Sequence, residues 1–310
     1  DHLLDPKRVY SLRTSDFCLL NPNTKTCPVF RTSRDAALTA KIYRNSEIIF
    51  NEKTNKNPWN VKFGSMFNMS TDSNYFRTFD QLIEYGAVLE GNNFSMPDGT
   101  IYVPLYEGKI IWHYNHHYGT WPTGGERPNS IDTPSLASLA DPSDSIMPWY
   151  WVPLAEVANR KVKTNSDGDV IWEWKHSYLT GFRDITNATN ERTIVVSLIP
   201  ADKGVGHSTT LLFAEGTVAN TLALATASSL PFDYVARQKI GGSHASISFV
   251  KQFPVIPFER IPEDLRWEII KRVAELCYFN HDLDGWAEEL FNELSDEQQY
   301  ELPQLGNNQP

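Results

Sequence analysis

Two carboxylates and a lysine between positions 97 and 109 have the types and spacing of a metal-dependent nuclease site. Pro97-Asp98 is followed by Glu107-Gly108-Lys109, which matches a P-D…E-x-K pattern. In nucleases of that kind the carboxylates hold Mg²⁺ and the lysine stabilises charge at the attacked phosphate. So permissive a pattern often arises by chance. We therefore treat a magnesium-dependent nuclease as an alternative function and not as the main prediction.

Three histidines follow at once, His113, His116 and His117. Imidazole is a common metal ligand, but successive side chains on a strand point to opposite faces, so this spacing predicts no metal site. Two other interpretations stay open. The stretch is a structural hairpin with solvated polar residues, or it is a polar, histidine-rich surface that faces DNA.

A polar turn between two apolar segments carries further candidate chemistry. The sequence GFRDITNATNERTIVVSLIP starts at position 181 and predicts a hairpin whose turn spans 186–191. Arginine can donate two hydrogen bonds to a guanine edge or grip phosphate, and asparagine can read adenine in the same way. Ion pairs of Arg183 or Arg192 with Asp184 or Glu191 would explain the same residues structurally, and this alternative also stays open.

A loop with paired glycines, 238–244, follows an apolar run of helical spacing at 222–237. Pro231 breaks the run and is best placed in the first turn of a new helix. Ser246 can cap a short helix after the loop, and Pro254 and Pro257 predict an extended exit.

The remaining elements predict a mixed fold. Residues 1–32 are predicted to be irregular, and Ser33 is predicted to cap a helix. Residues 101–105 and 109–114 predict paired strands, and two helices are expected from Pro262 onward. The fold class is therefore α/β (α+β), a twisted, mostly antiparallel sheet with flanking helices and a helical C-terminus.

Three motifs of this chain resemble the target recognition domains of DNA restriction-modification enzymes. The run 104–118 is similar to "P-L-Y-E-G-K-x-[IF]-x-x-[FY]-[DN]-H-R-[FWY]", except that His117 stands where that family usually has arginine. Residues 182–195 resemble "F-R-D-[IV]-[AST]-x-x-T-[DN]-x-R-T-x-[IV]". Residues 234–257 resemble the closing segment of these domains, in which a helix is followed by a glycine-containing polar loop, a short helix and an extended exit with two prolines. The resemblance covers most of residues 5–280 and points to fused, type IIG-like or phage-defence adenine-specific methyltransferases.

This resemblance implies a module that recognises double-stranded DNA, with lysine and arginine on phosphates and asparagine and histidine on bases. The candidate DNA-binding residues are Lys109, Asn115, His116, His117, Arg183, Asn187, Arg192, Arg237, Lys239, Gly241, Gly242, Ser243 and His244. The expected partners are double-stranded DNA and an upstream methyltransferase domain. That domain would flip adenine and methylate it with S-adenosylmethionine.

No catalytic motif of that family occurs in the chain, which has neither a [DNS]-P-P-[FYW] tetrapeptide nor a glycine-rich loop for the methyl donor. We therefore expect no cofactor and no catalysis in this chain itself. A protein-interaction module is a second alternative. Along the sequence we expect a connector at 1–57, a recognition domain at 58–258 and a helical segment with an acidic tail at 259–310.

Composition permits DNA binding without showing it. The net charge is −10, but eight of the 38 acidic residues fall within 281–310, a segment without Lys or Arg. The first 280 residues therefore carry 30 acids against 28 bases, a net charge of −2. A nearly neutral body of this kind can still carry a basic face. Three cysteines without regular spacing indicate reduced thiols and a cytoplasmic location. No apolar run is long enough for a membrane helix. The chain begins with Asp, which we interpret as a fragment of a longer protein.

Overall fold

The computed structural model describes residue 5 and residues 9–310. By its internal contacts the chain forms two units, each built from separated stretches of sequence. Unit 1 comprises residues 1–62, 184–195 and 214–269, and unit 2 comprises residues 63–183, 196–213 and 270–310. The predicted regions 1–57, 58–258 and 259–310 are continuous in sequence, and their assignment as connector, recognition domain and tail stays a prediction.

The structure consists of short helices and short strands. The helices are α1 (Thr14–Leu20), α2 (Ser33–Arg44), α3 (Phe79–Glu84), α4 (Leu136–Leu139), α5 (Leu154–Arg160), α6 (Thr217–Ser228), α7 (Leu230–Lys239), α8 (Ile247–Val250), α9 (Glu263–Cys277), α10 (Asp284–Glu293), α11 (Asp296–Glu301) and α12 (Pro303–Gly306). The strands are β1 (Glu47–Ile48), β2 (Lys62–Gly64), β3 (Val88–Glu90), β4 (Asn93–Ser95), β5 (Ile101–Tyr106), β6 (Trp151–Pro153), β7 (Val162–Thr164), β8 (Val170–Glu173), β9 (Tyr178–Arg183), β10 (Val196–Pro200), β11 (Gly204–Val205), β12 (Thr209–Phe213) and β13 (Pro254–Val255).

The strands form two larger sheets and two pairs. One sheet has the order β10-β9-β12-β2, and in it β9 pairs antiparallel with both β10 and β12. In the other, β5 pairs antiparallel with β4 and β6 and parallel with β11, and β3 pairs with β4. β1 pairs with β13, and β7 with β8. The protein is thus a mixed α/β fold with antiparallel sheets and a helical C-terminus, as predicted, although several sheets replace the single one expected.

In unit 1 the core forms where α2 packs against α7 and the preceding segments. The side chain of Thr32, and not that of the predicted Ser33, caps α2 by accepting a hydrogen bond from the Asp35 amide, at 3.1 Å. The buried face of the helix presents Tyr43 to a cluster that includes Phe30 and Val235. The Tyr43 hydroxyl donates to the Gln252 carbonyl at 2.6 Å, so this large buried side chain has its polar atom satisfied.

In unit 2 the core is aromatic and surrounds Trp151, which is 1 % exposed. Its indole ring lies 5.3 Å from the Phe94 ring in an edge-to-face arrangement, and Leu82 completes the cluster. The Trp151 Nε1 group donates to the Asn92 carbonyl at 2.7 Å. Aromatic pairs of this kind add to the free energy gained from area burial alone.

The sequence predicts several of these elements and misses others. Pro231 does lie in the first turn of α7, after α6 has ended, and Ser229 caps α7. The prediction of an irregular segment at 1–32 is wrong where α1 forms; its part on residues 1–4 and 6–8 lies outside the described residues. The strand predicted at 109–114 is also wrong, because the stretch consists of turns that follow β5.

Across the described part of the chain, residue 5 and 9–310, no helix has both the length and the apolarity needed to cross a lipid bilayer.

We expect Trp151→Ala to destabilise the protein by about 3–5 kcal/mol, because it empties the centre of the unit 2 core and leaves the Asn92 carbonyl without its donor. Denaturant unfolding followed by far-ultraviolet circular dichroism measures this loss. Ile171→Ala is the matched control, since Ile171 is 64 % exposed and its truncation removes little buried surface. Equal midpoints for the two variants would contradict the assigned core.

Candidate functional site

The thirteen candidate DNA-binding residues fall into the two units. Unit 2 contains Lys109, Asn115, His116, His117 and Arg183, and unit 1 contains the remaining eight. The structure gives each group its own environment, and the two environments differ in exposure and in hydrogen bonding.

In unit 1 the predicted turn and the predicted glycine loop lie side by side. Ile185 and His244 form an isolated antiparallel bridge. The Thr186 amide donates to the Ser243 carbonyl at 3.0 Å, and the Ala245 amide donates to the Asp184 carbonyl at 2.7 Å. Main-chain hydrogen bonds therefore join two segments that are about 60 residues apart in sequence, and we call their exposed side chains and the two glycines the polar rim. Its members are Asn187, Thr189, Asn190, Gly241, Gly242, Ser243 and His244.

The glycine loop leaves room above its main chain. A Cβ atom added to Gly241 or Gly242 would meet no atom within 4 Å among the residues that the structure describes. The side chain of His244 is exposed, and its Nδ1 lies 2.6 Å from Asp184 Oδ2. A ligand could therefore approach the backbone closely at this point.

Arg237 fixes the turn from inside. Its guanidinium donates to the carbonyls of Ala188 and Asn190, both at 2.9 Å, and to that of Glu191 at 2.8 Å. It also donates to Asp233 Oδ2 at 3.1 Å, one helical turn earlier on α7. Because these contacts occupy the fork of the guanidinium, they give Arg237 an intramolecular role in place of the predicted contact with phosphate.

The carboxylate of Asp233 is the counterpart of Arg237. It is only 5 % exposed, and its Oδ1 atom accepts from the amides of Thr193 and Ile194 at 2.6 and 2.9 Å. Arg192, whose ion-pair partner was expected to be Asp184 or Glu191, lies with its Nε 3.7 Å from Asp233 and donates to the Ser228 carbonyl. Sequence reasoning missed Asp233 because its spacing to Arg237 indicates only an ordinary helical ion pair.

Lys239 is likewise directed inward. Its Nζ donates to the Leu20 carbonyl and, at 2.8 Å, to Asn21 Oδ1, and it lies 4.7 Å from the centroid of the Tyr43 ring. Burial of the ammonium group lowers the pKa of Lys239 from its ordinary value of 10.5 to about 7. The geometry therefore gives Lys239 an internal contact rather than a surface position for phosphate.

In unit 2 Lys109 is exposed, and Arg183 is largely enclosed. The Lys109 Nζ donates to the Asn129 carbonyl at 3.1 Å. The Arg183 guanidinium donates to the Ile111 carbonyl from both Nε and Nη2, at 3.1 and 2.5 Å, and lies 4.8 Å from the centroid of the Trp112 ring. Burial lowers the pKa of Arg183 to about 10. Arg183 therefore holds the turns at 107–119 against the sheet.

The carboxylates of the nuclease alternative lie at opposite ends of β5. That strand extends about 17 Å from its first residue to its last, whereas two ligands of one Mg²⁺ are separated by about 4 Å at most. Glu107 accepts two bonds from Arg127, at 2.7 and 2.8 Å, and Asp98 accepts from the Thr100 amide at 2.8 Å. These positions do not form the two-carboxylate metal site of such nucleases.

A buried cluster that the sequence did not predict lies in unit 2. His116 and His117 are 0 and 4 % exposed, and their ring centroids are 4.2 Å apart. His117 Nε2 lies 3.0 Å from Asp282 Oδ2, and one ligand atom from each of His116, His117 and Asp282 lies within 4.8 Å of the others. The structure thus buries two of the three histidines weighed as ligands, beside a partly buried acid 165 residues further along the chain.

A turn, not a strand, brings the two rings together. Trp112 and Asn115 exchange main-chain hydrogen bonds at 2.7 and 3.1 Å, and Tyr114 between them has φ of 61°. The Asn115 side chain then accepts from the His117 amide at 2.7 Å, an Asx turn. The prediction that adjacent histidines point to opposite faces is therefore wrong here, because the backbone at 112–117 is a turn and not an extended strand.

Burial sets the ionisation of this cluster. It lowers the pKa of His116 well below the usual 6.5, and the neighbouring His117 adds to the effect. For Asp282 burial acts to raise the pKa, but the hydrogen bond with His117 and the nearby positive groups outweigh it, so the pKa is lowered. A neutral imidazole beside a carboxylate is the state in which both can bind a cation.

An apolar groove in unit 1 bears on the protein-interaction alternative. Its volume is about 510 Å³, and it is bordered by α2, α6, α7 and α9. The apolar residues that line it include Ile42, Ala225, Phe232, Val255, Leu265 and Ile269.

A comparison of the chain with protein-family models finds no match, and a comparison with curated proteins finds no significant match.

We expect the free energy of unfolding to rise with pH between about 7 and 10.5 through Lys239. Over that range the unfolded lysine keeps a proton that the folded one has released, so the slope reaches about 1.4 kcal/mol per pH unit. Lys239→Met removes this slope, and Lys41→Met, an exposed lysine on α2, retains it. Denaturant unfolding at several pH values checks the difference, and parallel curves for wild type and Lys239→Met would contradict it.

Proposed function

We propose that the chain is a module that recognises double-stranded DNA within an adenine-specific DNA methyltransferase of the restriction-modification or phage-defence type. An upstream domain would supply catalysis with S-adenosylmethionine, and this chain would orient the duplex for base flipping. The proposal rests on the three motifs at 104–118, 182–195 and 234–257 and on one structural observation. That observation is the pairing of Ile185 with His244, which forms the polar rim.

The polar rim has the chemistry of base readout. Asn190, Ser243 and His244 are exposed and carry amide, hydroxyl and imidazole groups, each able to donate or accept at a base edge. Gly241 and Gly242 present main chain without a side chain in the way, which favours close contact with a sugar or phosphate. Arg237 and Asp233 hold the turn in place before any ligand arrives, which reduces the entropy lost on binding.

The positions of the cations change the expected balance of contacts. Arg192, Arg237 and Lys239 donate to carbonyls within unit 1, so phosphate binding by these three has no support from their geometry. Lys109 in unit 2 remains exposed. A protein that neutralises few phosphates shows a shallow dependence of affinity on salt, and we expect that behaviour here.

Selection from a pool of short duplexes with a randomised centre, at about 50 mM salt, tests the proposal without knowledge of the target. We expect the wild-type chain to enrich one short motif. In the Asn190→Ala/His244→Ala double variant, affinity for that motif falls about 10- to 100-fold, because base-edge contacts worth ~1–3 kcal/mol are lost.

The control is Asn292→Ala/His207→Ala, which removes the same residue types from exposed positions in unit 2. It retains wild-type enrichment, and circular dichroism verifies that both double variants fold. Failure of the wild type to retain any duplex would overturn the proposal and favour a protein-interaction module. Equal enrichment by the two double variants would remove the polar rim from the interface.

A further inference from the structure

His116 is a buried side chain that the fold itself does not explain. It is 0 % exposed, and neither ring nitrogen has a hydrogen-bond partner within residue 5 and residues 9–310. A buried polar atom without a partner costs about 1–3 kcal/mol, so natural proteins satisfy nearly all such atoms with protein groups, water or ions. Of the ring's neighbours, His117 and Asp282 offer further ligand atoms and Phe279 offers an apolar wall, with ring centroids 5.0 Å apart.

We infer that His116, His117 and Asp282 form a binding site for one divalent transition-metal ion, with Zn²⁺ as the best fit to the ligand set. Two imidazoles and one carboxylate are ligands of the kind that three-residue zinc sites use. No part of this inference depends on DNA binding, and the polar rim belongs to the other unit.

The dimensions of the cluster suit a small ion. Around a tetrahedral ion with bonds of ~2.0–2.1 Å, neighbouring ligand atoms are about 3.4 Å apart. His117 Nε2 and Asp282 Oδ2 are 3.0 Å apart, and all three ligand atoms lie within 4.8 Å of one another. Small side-chain rotations therefore suffice to close the site on an ion, and a water molecule would complete the fourth position.

Hydrogen bonds behind the ligands hold them in place. Asn115 Oδ1 accepts from the His117 amide at 2.7 Å, and Asn280 Oδ1 accepts from the Asp282 amide at 2.8 Å. Asn280 is itself anchored, because its Nδ2 donates to the Asp144 carbonyl at 2.8 Å. Support of this kind behind the ligands is typical of metal sites, since it fixes their orientation before the ion binds.

The charges around the cluster also allow a cation. Asp282 contributes a carboxylate, and its side chain is 20 % exposed, which gives an ion a path to the site. The positive group that faces Asp282 is Lys203, whose Nζ lies 3.1 Å from Asp202 Oδ2 and donates to Asn93 Oδ1 at 3.2 Å. Two acids, Asp282 and Asp202, therefore face one lysine. The hydroxyl of Tyr106, 0 % exposed, also has no hydrogen-bond partner among the described residues.

A bound ion would join distant parts of unit 2. The turn at 112–117 follows β5, whereas Asp282 lies directly before α10. Because the ligands come together only in the folded chain, the binding free energy of the ion adds to the stability of unit 2.

The test uses the full chain after removal of metal with a chelator. Titration with Zn²⁺ against a chromophoric competitor measures stoichiometry and affinity, and Co²⁺ in its place reports tetrahedral coordination through its visible absorption. We expect one Zn²⁺ per chain and a rise in melting temperature on its addition. We expect His116→Leu and Asp282→Asn each to weaken Zn²⁺ binding at least about 100-fold. Loss of a residue that only hydrogen-bonds a ligand already lowers metal affinity about 10- to 100-fold.

The variants are chosen so that misfolding does not decide the result. His116→Leu replaces a buried imidazole without partners by an apolar side chain of similar size, so the metal-free variant is at least as stable as the metal-free wild type. His281→Gln, next to Asp282 in sequence but paired with Asp284 at 3.0 Å, is the matched control and keeps Zn²⁺ binding. Absence of stoichiometric binding to the wild type overturns the inference, as does wild-type affinity in His116→Leu or Asp282→Asn.

Discussion

The buried carboxylate of Asp233 is the constraint on which the arrangement of unit 1 depends. A carboxylate that is 5 % exposed must be fully hydrogen-bonded, and it obtains its partners from two amides of segment 184–195 and from Arg237. Arg237 in turn satisfies three carbonyls of the same segment. These hydrogen bonds order segment 184–195, which contains no helix or strand, and this order creates the polar rim.

Three other cations also hydrogen-bond within the protein. Arg183, Arg192 and Lys239 each donate to main-chain carbonyls, and burial lowers the pKa values of Arg183 and Lys239. These three basic side chains satisfy carbonyls at the ends of α1 and α6 and in the turns after β5, which lack a main-chain donor of regular structure. The polar rim consequently contains no lysine, arginine or carboxylate, which suits recognition by hydrogen bonding better than by charge.

The sequence predicts those features of this structure that neighbouring residues determine, and it misses those that depend on residues far apart in the chain. Apolar spacing and Pro231 locate α6 and α7, since both signals are local. The hairpin strands β9 and β10 follow from two apolar segments around a polar turn. By contrast, the hydrogen-bond partners of Arg237 and Lys239, other than Asp233, lie 46 or more residues away in sequence. Residue type alone therefore predicted that these two cations would contact phosphate.

The histidines show the same limit more sharply. Two adjacent ring-bearing residues share one side only because Asn115 bends the chain, and Asp282 joins them from a segment that sequence analysis treated as an acidic tail. Periodicity describes regular backbone, so it gives the wrong geometry wherever a turn replaces a strand. The segment's acidic character was visible in the sequence, but the position of Asp282 beside two buried histidines was not.

The interleaved composition of the two units has a consequence for the order in which the protein can mature on the ribosome. Unit 1 requires residues up to 269, and unit 2 requires residues 270–310 as well as a segment that begins at 63. Tandem domains can fold one after another as they emerge, but here each unit waits for late-synthesised residues. The apolar strands β5 and β9 are thus made long before α10, whose Trp286 and Leu290 are buried in the finished structure, so the core of unit 2 is completed only after residues 284–293 have been made.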